Sequence, residues 1–257
     1  MNTQEKLVSL KAIVSKETNR VMRIWTQTLL PSAITMTLYF VIFGSFIGSQ
    51  IANVNGNSYM AFIVPGIVMM AVITNSFTNV VSSFFGNKFQ RSIEELLVSP
   101  TPNYIIIWGY VLGGVFRGLL IGLIVTLISL FFTKLHLYNV LIIIVFVFLT
   151  ALVFSLAGFM NAVYAKKFDD VAIIPTFVLT PLTYLGGVFY SITMLPPFWQ
   201  KVSLLNPIIY MVDGFRYGFL GTHDVNVWIG FFMLVILSVG LFLFNLHLLK
   251  IGKGLKN

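Results

Sequence analysis

Cysteine is absent from the chain. That excludes a disulfide framework, a thiolate metal site and a cysteine nucleophile. Histidine is scarce, with His136, His223 and His247 far apart in sequence, so no local ligand pair points to zinc. Charge is scarce too: 9% of the 257 residues are charged, against roughly 25% in soluble domains. Most of such a chain cannot face water. A soluble enzyme, a disordered protein and a nucleic-acid module built on a basic surface are all excluded. Catalytic motifs are missing as well. There is no glycine-rich phosphate loop, since Gly252-Lys253 has the wrong context, and no serine-hydrolase or zinc-peptidase pattern.

What the chain has instead is apolar residues, at 58%, and a mean hydropathy of +0.93. A helix needs about 20 mostly apolar residues to cross the hydrocarbon core. Six segments qualify, at about 28–47, 60–85, 105–132, 141–164, 171–190 and 227–249. Membrane-barrel strands would be shorter and would alternate in polarity, so an all-α membrane protein is expected. Lysine and arginine set the orientation. The N-terminal tail, the second-to-third and fourth-to-fifth connections and the C-terminal tail (with Lys250, Lys253 and Lys256) carry 12 of them. Lys134, Lys201 and Arg216 fall on the other side, which places both termini in the cytoplasm.

Between and within these spans lie several distinctive stretches. Residues 4–25 place Leu7, Leu10, Val14, Val21, Ile24 and Trp25 on one helical arc, with Glu17 as an exception. They read as a helix lying on the cytoplasmic membrane surface, or else as a solvated basic tail. The second span carries Asn75 and Asn79 one turn apart, serving inter-helix packing or a substrate path. The third carries Gly109, Gly113, Gly114, Gly118 and Gly122 beside Arg117. That arginine lies about 18 Å into the span at 1.5 Å per residue. It needs a partner such as a helix-end carbonyl or a polar residue of the second span, as an anchor or as a gate. The fifth span is interrupted by Pro175, Pro181, Gly186 and Gly187, with Thr176, Thr180 and Thr183 able to satisfy freed carbonyls and Asp169 or Asp170 able to cap its start. By this assignment all eight acidic residues lie in tails, loops or outer segments, which argues against ion coupling through membrane carboxylates.

Two further segments stand out. Residues 191–226 are too apolar for a solvated loop. They read as two short interfacial or re-entrant helices holding Asn206-Pro207, Asp213 and Arg216, or as an aromatic belt with no transport role. Residues 87–102 read as a short amphipathic helix facing the cytoplasm. Ser92 and Glu95 fit a capping box, Arg91 and Glu95 an i,i+4 pair, and Leu96, Leu97 and Val98 an apolar patch that ends at Pro100 and Pro102.

The Arg91–Pro100 loop resembles the ABC-2 type permeases, membrane subunits of ATP-binding-cassette exporters. So does the run Gly186-Gly187-Val188-Phe189-Tyr190, Leu195-Pro196-Pro197-Phe198-Trp199, Leu205-Asn206-Pro207 and Arg216-Tyr217-Gly218. The resemblance covers essentially the whole chain as a single transmembrane domain, 1–257. It implies a homodimer in the bacterial inner membrane that docks on a cytoplasmic ABC ATPase. ATP and magnesium would be bound by that partner, and no cofactor or metal by this chain. It implies a coupling helix at Arg91, Glu94, Glu95, Leu96 and Leu97, and outer helices at the exit. Family substrates include drugs, lipids and glycans. Asn75, Asn79, Arg117 and Pro181 are the pathway candidates. The competing readings are a passive channel or ion-coupled carrier, and a membrane scaffold.

Overall fold

The computed structural model describes residues 1–252 except 49, 51, 52 and 55. Lys253 and Lys256, counted above among the cytoplasmic cations, lie outside these. Every named element among the described residues is helical, as hydrocarbon demands of a chain that must satisfy its own backbone. Five runs are long and apolar enough to cross a membrane: Trp25–Gly44, Tyr59–Phe89, Asn103–Ser129, Val140–Tyr164 and Val227–Ile251.

Helix α1 (Thr3–Arg23) opens on a reciprocal cap. Asn2 accepts from the Thr3 N–H at 2.7 Å, and Glu5 accepts from the Asn2 N–H at 2.9 Å. Short α2 (Trp25–Thr28) and α3 (Leu30–Tyr39) follow, and α3 runs into a π-wound stretch, Phe40–Ile47. Helix α4 (Tyr59–Phe89) is the central post, buried along most of its length and packed against α6 (Asn103–Ser129), α7 (Val140–Tyr164) and α11 (Pro207–Leu220). Between α4 and α6 sits α5 (Ser92–Val98). Helices α8 (Phe168–Ile174), α9 (Thr180–Tyr184) and α10 (Pro197–Leu204) precede α11, and α12 (Val227–Ile251) closes the chain.

The glycines of α6 form two rows with different neighbours. A Cβ on Gly113 would lie 2.5 Å from the Glu17 Cβ, and one on Gly109 would run into Ile13. The other row, Gly114, Gly118 and Gly122, meets Val80, Ser76 and Val72 of α4. Two helices thus approach α6 closely at once. Of the expected arc, only Val21 is buried on the face α1 presents there. Ile13, Glu17 and Val21 are buried, while Leu7 and Trp25 are 62% and 52% exposed. Glu17 therefore lies inside the protein rather than in a solvated tail, which corrects the placement of all acidic residues outside the bundle.

The expected fifth span, 171–190, is not one continuous helix. Proline supplies no N–H and disturbs the preceding turn. After Pro175 the chain widens into a π-wound turn, Pro175–Leu179, and α9 ends at Tyr184. Thr180 Oγ1 donates to the Pro175 carbonyl at 2.9 Å and Thr183 Oγ1 to the Leu179 carbonyl at 2.6 Å, while the Val171 carbonyl, four residues before Pro175, accepts from Asn161 at 3.2 Å. At the other end, Asp170 rather than Asp169 caps α8. Its carboxylate accepts from the Lys166 and Lys167 N–H groups at 2.8 and 3.0 Å, which hold it below the usual carboxylate range.

Helix α5 forms, but not by the expected capping box. Arg91 adopts a left-handed conformation (φ 60°) at the cap position. Ser92 falls inside the first turn, where its hydroxyl donates to the Asn87 carbonyl at 3.2 Å. Nor is the expected Arg91–Glu95 pair among the ion pairs of the described residues.

Candidate functional site

The polar residues of α4 divide between two faces. One points inward. Arg117, reaching across from α6, donates to Asn75 Oδ1 from Nη2 at 2.9 Å and from Nε at 3.2 Å. Its Nη2 also donates to the Thr28 carbonyl, at the end of α2, at 3.2 Å. Both partner types expected from the sequence are present. Asn75 in turn donates to the Ala71 carbonyl at 3.0 Å and to Ser32 of α3 at 3.1 Å. One turn on, Asn79 Oδ1 accepts from Arg20 of α1 at 2.8 Å. Asn75, Asn79 and Arg117 are thus brought together, and they join helices rather than line an open space.

Arg117→Leu is expected to insert normally. It leaves the Thr28 carbonyl and part of Asn75 unpaired, a loss of about 1–3 kcal/mol. For a chain of this size that lowers the melting temperature of the detergent-purified protein by roughly 2–4 °C per kcal/mol. Wild-type melting and activity would reduce Arg117 to a tolerated snorkelling side chain.

The second face of α4 carries Thr74, Thr78 and Ser82, which look toward the broken α8–α9 run. Each hydroxyl donates to the carbonyl four residues back: Thr74 to Met70, Thr78 to Thr74 and Ser82 to Thr78. A small cavity of about 70 Å³ separates this face from Pro175, Leu179, Thr180 and Tyr184. Pro181 is exposed at the start of α9, away from the Arg117 cluster.

On the side where α1 and α5 meet, a groove of about 430 Å³ runs between them, lined by Ser9, Lys16, Ser92, Glu95, Leu96 and Tyr110. Ile93 is buried and seats α5 on the bundle, with Leu96 and Leu97 half-buried. Glu94, Glu95 and Arg91 stand exposed, and Val98 is 85% exposed. Lys88 fastens the base of α4 by donating to the Val163 and Ala165 carbonyls, both at 2.7 Å, at the end of α7. Glu17, Arg20 and Ser83 complete this end; sequence reasoning marked Glu17 only as an exception on the arc and did not bring the three together. Ser83 Oγ donates to Glu17 at 2.6 Å, and Arg20 pairs with Glu17 at 3.1 Å. The available signal was Glu17 itself, set midway between Ile13 and Val21 at four-residue spacing.

At the opposite end α11 is buried among α4, α7 and α12. Arg216 donates to the Gly187 carbonyl at 2.6 Å and to the Phe62 carbonyl at 3.2 Å, and lies 3.9 Å over the Phe62 ring. Its Nη1 is 3.7 Å from Asp213, whose carboxylate accepts from the Asp224 and Val225 N–H groups at 2.9 and 2.8 Å. Asn206 caps α11 by accepting from Ile208 at 3.0 Å and grips the Leu182 carbonyl at 2.6 Å, with Pro207 in the first helical turn. Three of the residues that carried the resemblance, Gly187, Asn206 and Arg216, therefore tie α11 to α4 and to the broken helix. The chain crossing α4 here comes so close that a side chain on Gly66 would collide with the Val188 backbone. Among the described residues no three His, Asp or Glu side chains are grouped to hold a metal ion.

Comparison with known proteins gives a consistent result. The family model described as "ABC-2 type transporter" matches residues 8–220. The chain is 59% identical over 250 residues to the inner membrane transport permease YadH of Escherichia coli K12, covering 97% of this chain and 98% of that protein. It is 24% identical over 214 residues to nodulation protein J of Rhizobium leguminosarum bv. viciae, covering 83% of each.

Proposed function

Because this chain belongs to the ABC-2 type transporter family and is a multi-pass inner-membrane permease subunit of an ABC transporter, we propose that it works as the homodimeric core of an exporter driven through α5. ATP and magnesium are held by a cytoplasmic ABC ATPase, the partner the family implies, and this chain contributes no catalytic residue. It crosses the membrane six times with both termini cytoplasmic, the α8–α9 run serving as the fifth crossing and α10–α11 dipping into the outer leaflet.

One observation carries the reading. Glu94, Glu95 and Val98 are exposed on a seven-residue helix whose Ile93 is anchored in the bundle. A subunit with no nucleotide site of its own needs such a contact to receive force. Arg91, Glu94 and Glu95 engage charges on the ATPase, and Leu96 and Leu97 transmit its motion to α4. ATP binding closes the paired ATPases, displaces α5 and opens the outer side. Substrate enters from the cytoplasm or the inner leaflet and passes the Thr74, Thr78 and Ser82 face. An ion-coupled carrier is less well supported, because the buried carboxylates Glu17 and Asp213 are each engaged by several donors.

The test is purification of the tagged chain together with candidate ABC ATPases, followed by reconstitution in liposomes. A stable complex with vanadate-sensitive ATP hydrolysis is expected. A chain that binds no ATPase, or that moves solutes without ATP, would overturn the reading in favour of a channel or carrier.

A further inference from the structure

We propose that Glu17 is a positioning residue for energy coupling: its buried carboxylate pins α1 to α4, so that displacement of α5 carries α1 with it. This rests on the α5-driven reading above.

Glu17 is 0% exposed, on a helix whose other buried side chains are apolar. An apolar residue at 17 would continue the stripe from Ile13 to Val21 and avoid the cost of burying a charge. A carboxylate adds direction. An apolar stripe in the glycine groove of α6 can shift along it, whereas the Ser83 hydroxyl at 2.6 Å fixes one register. Arg20 reinforces that register by holding Glu17 at 3.1 Å while donating to the Asn79 side chain at 2.8 Å and to its carbonyl at 3.2 Å. Gly113 leaves room for the glutamate stem.

The pin lies on the route from α5 into the bundle. One turn beyond Ser83, Asn87 accepts from the Ser92 hydroxyl at 3.2 Å and donates to the Tyr110 hydroxyl at 2.8 Å. A push on α5 thus reaches Asn87, then Ser83, and through Glu17 reaches α1. Without the carboxylate, the Ser83 tie is lost and Arg20 loses the partner that orients it toward Asn79, so α1 follows α4 less closely.

The experiment exploits the absence of native cysteine. Phe198→Cys on α10 is labelled from outside in the reconstituted permease–ATPase complex, with and without ATP and vanadate, and the label is quantified by peptide mass spectrometry. The parent complex should show an ATP-dependent change in labelling rate. Glu17→Ala should bind the ATPase normally but reduce that change about tenfold, within the usual range of site-to-site coupling. Glu17→Gln, whose amide oxygen can still accept from the Ser83 hydroxyl, should keep most of the response. A role resting on the charge alone would be lost in that neutral variant as well.

If the parent complex shows no ATP response, the α5-driven reading fails and this inference with it. If the parent responds and Glu17→Ala responds equally, the pin is wrong and the reading stands. If Glu17→Ala does not accumulate, Ser83→Ala takes its place, and a full response from it overturns the proposal.

Discussion

Arg216→Leu is expected to destabilise the folded chain by about 3–5 kcal/mol, the usual result of removing one member of a buried ion pair. The guanidinium is 3% exposed and holds two main-chain carbonyls as well as facing Asp213. Leucine leaves those carbonyls without this donor and the buried carboxylate without its counter-charge. At roughly 2–4 °C per kcal/mol for a chain of this size, melting should fall by about 6–20 °C. Asp213→Asn combined with Arg216→Leu should recover part of the loss, because the uncompensated charge goes too while the amide oxygen still accepts from residues 224 and 225. Equal melting of the single variant and wild type would show that α11 is held by packing alone.

Glu94→Lys with Glu95→Lys is expected to abolish productive docking on the ATPase while leaving the bundle intact. Both side chains are exposed, and substitutions at such positions usually change stability by no more than about 0.5 kcal/mol. At an interface, losing a buried charge contact costs about 2–5 kcal/mol, and charge reversal adds repulsion. Complex formation should therefore weaken by roughly thirtyfold to several-thousand-fold. Melting of the isolated permease, complex formation and ATP hydrolysis are measured in parallel. Unchanged affinity and hydrolysis would remove α5 from the coupling route.

Hydropathy located the long helices because that signal comes from composition averaged over some twenty residues. The partners of Arg117 were legible for a related reason: a guanidinium at that depth has few places to go, and Asn75 stood at a matching depth on another span. Glu17 was not legible as a buried group. Its burial depends on Gly109 and Gly113, almost a hundred residues away, clearing a groove for α1. The same limit hid which side of α4 is which. Asn75 and Thr74 are neighbours in sequence but lie about 100° apart around the helix, and only the positions of α3, α6 and α9 decide which of them meets protein. At α5, Ser92 and Glu95 had the spacing of a cap. The left-handed turn at Arg91 moved the helix start, a backbone choice that spacing does not encode.

Many of the buried tethers run from a side-chain donor to a main-chain carbonyl: Arg216 to Phe62 and Gly187, Asn206 to Leu182, Lys88 to Val163 and Ala165, Asn245 to Leu156 and Asn161 to Val171. Every residue type owns a carbonyl, so the receiving position can drift in identity without breaking the bond. The giving position cannot. The constraint on sequence is therefore one-sided, and compensating substitutions are not needed at the acceptor. In a library of single variants, Leu182 or Val163 should tolerate exchange among similar apolar residues, while Asn206 and Lys88 should not. For the same reason, these tethers would leave no paired changes between positions for a search of correlated substitutions to find.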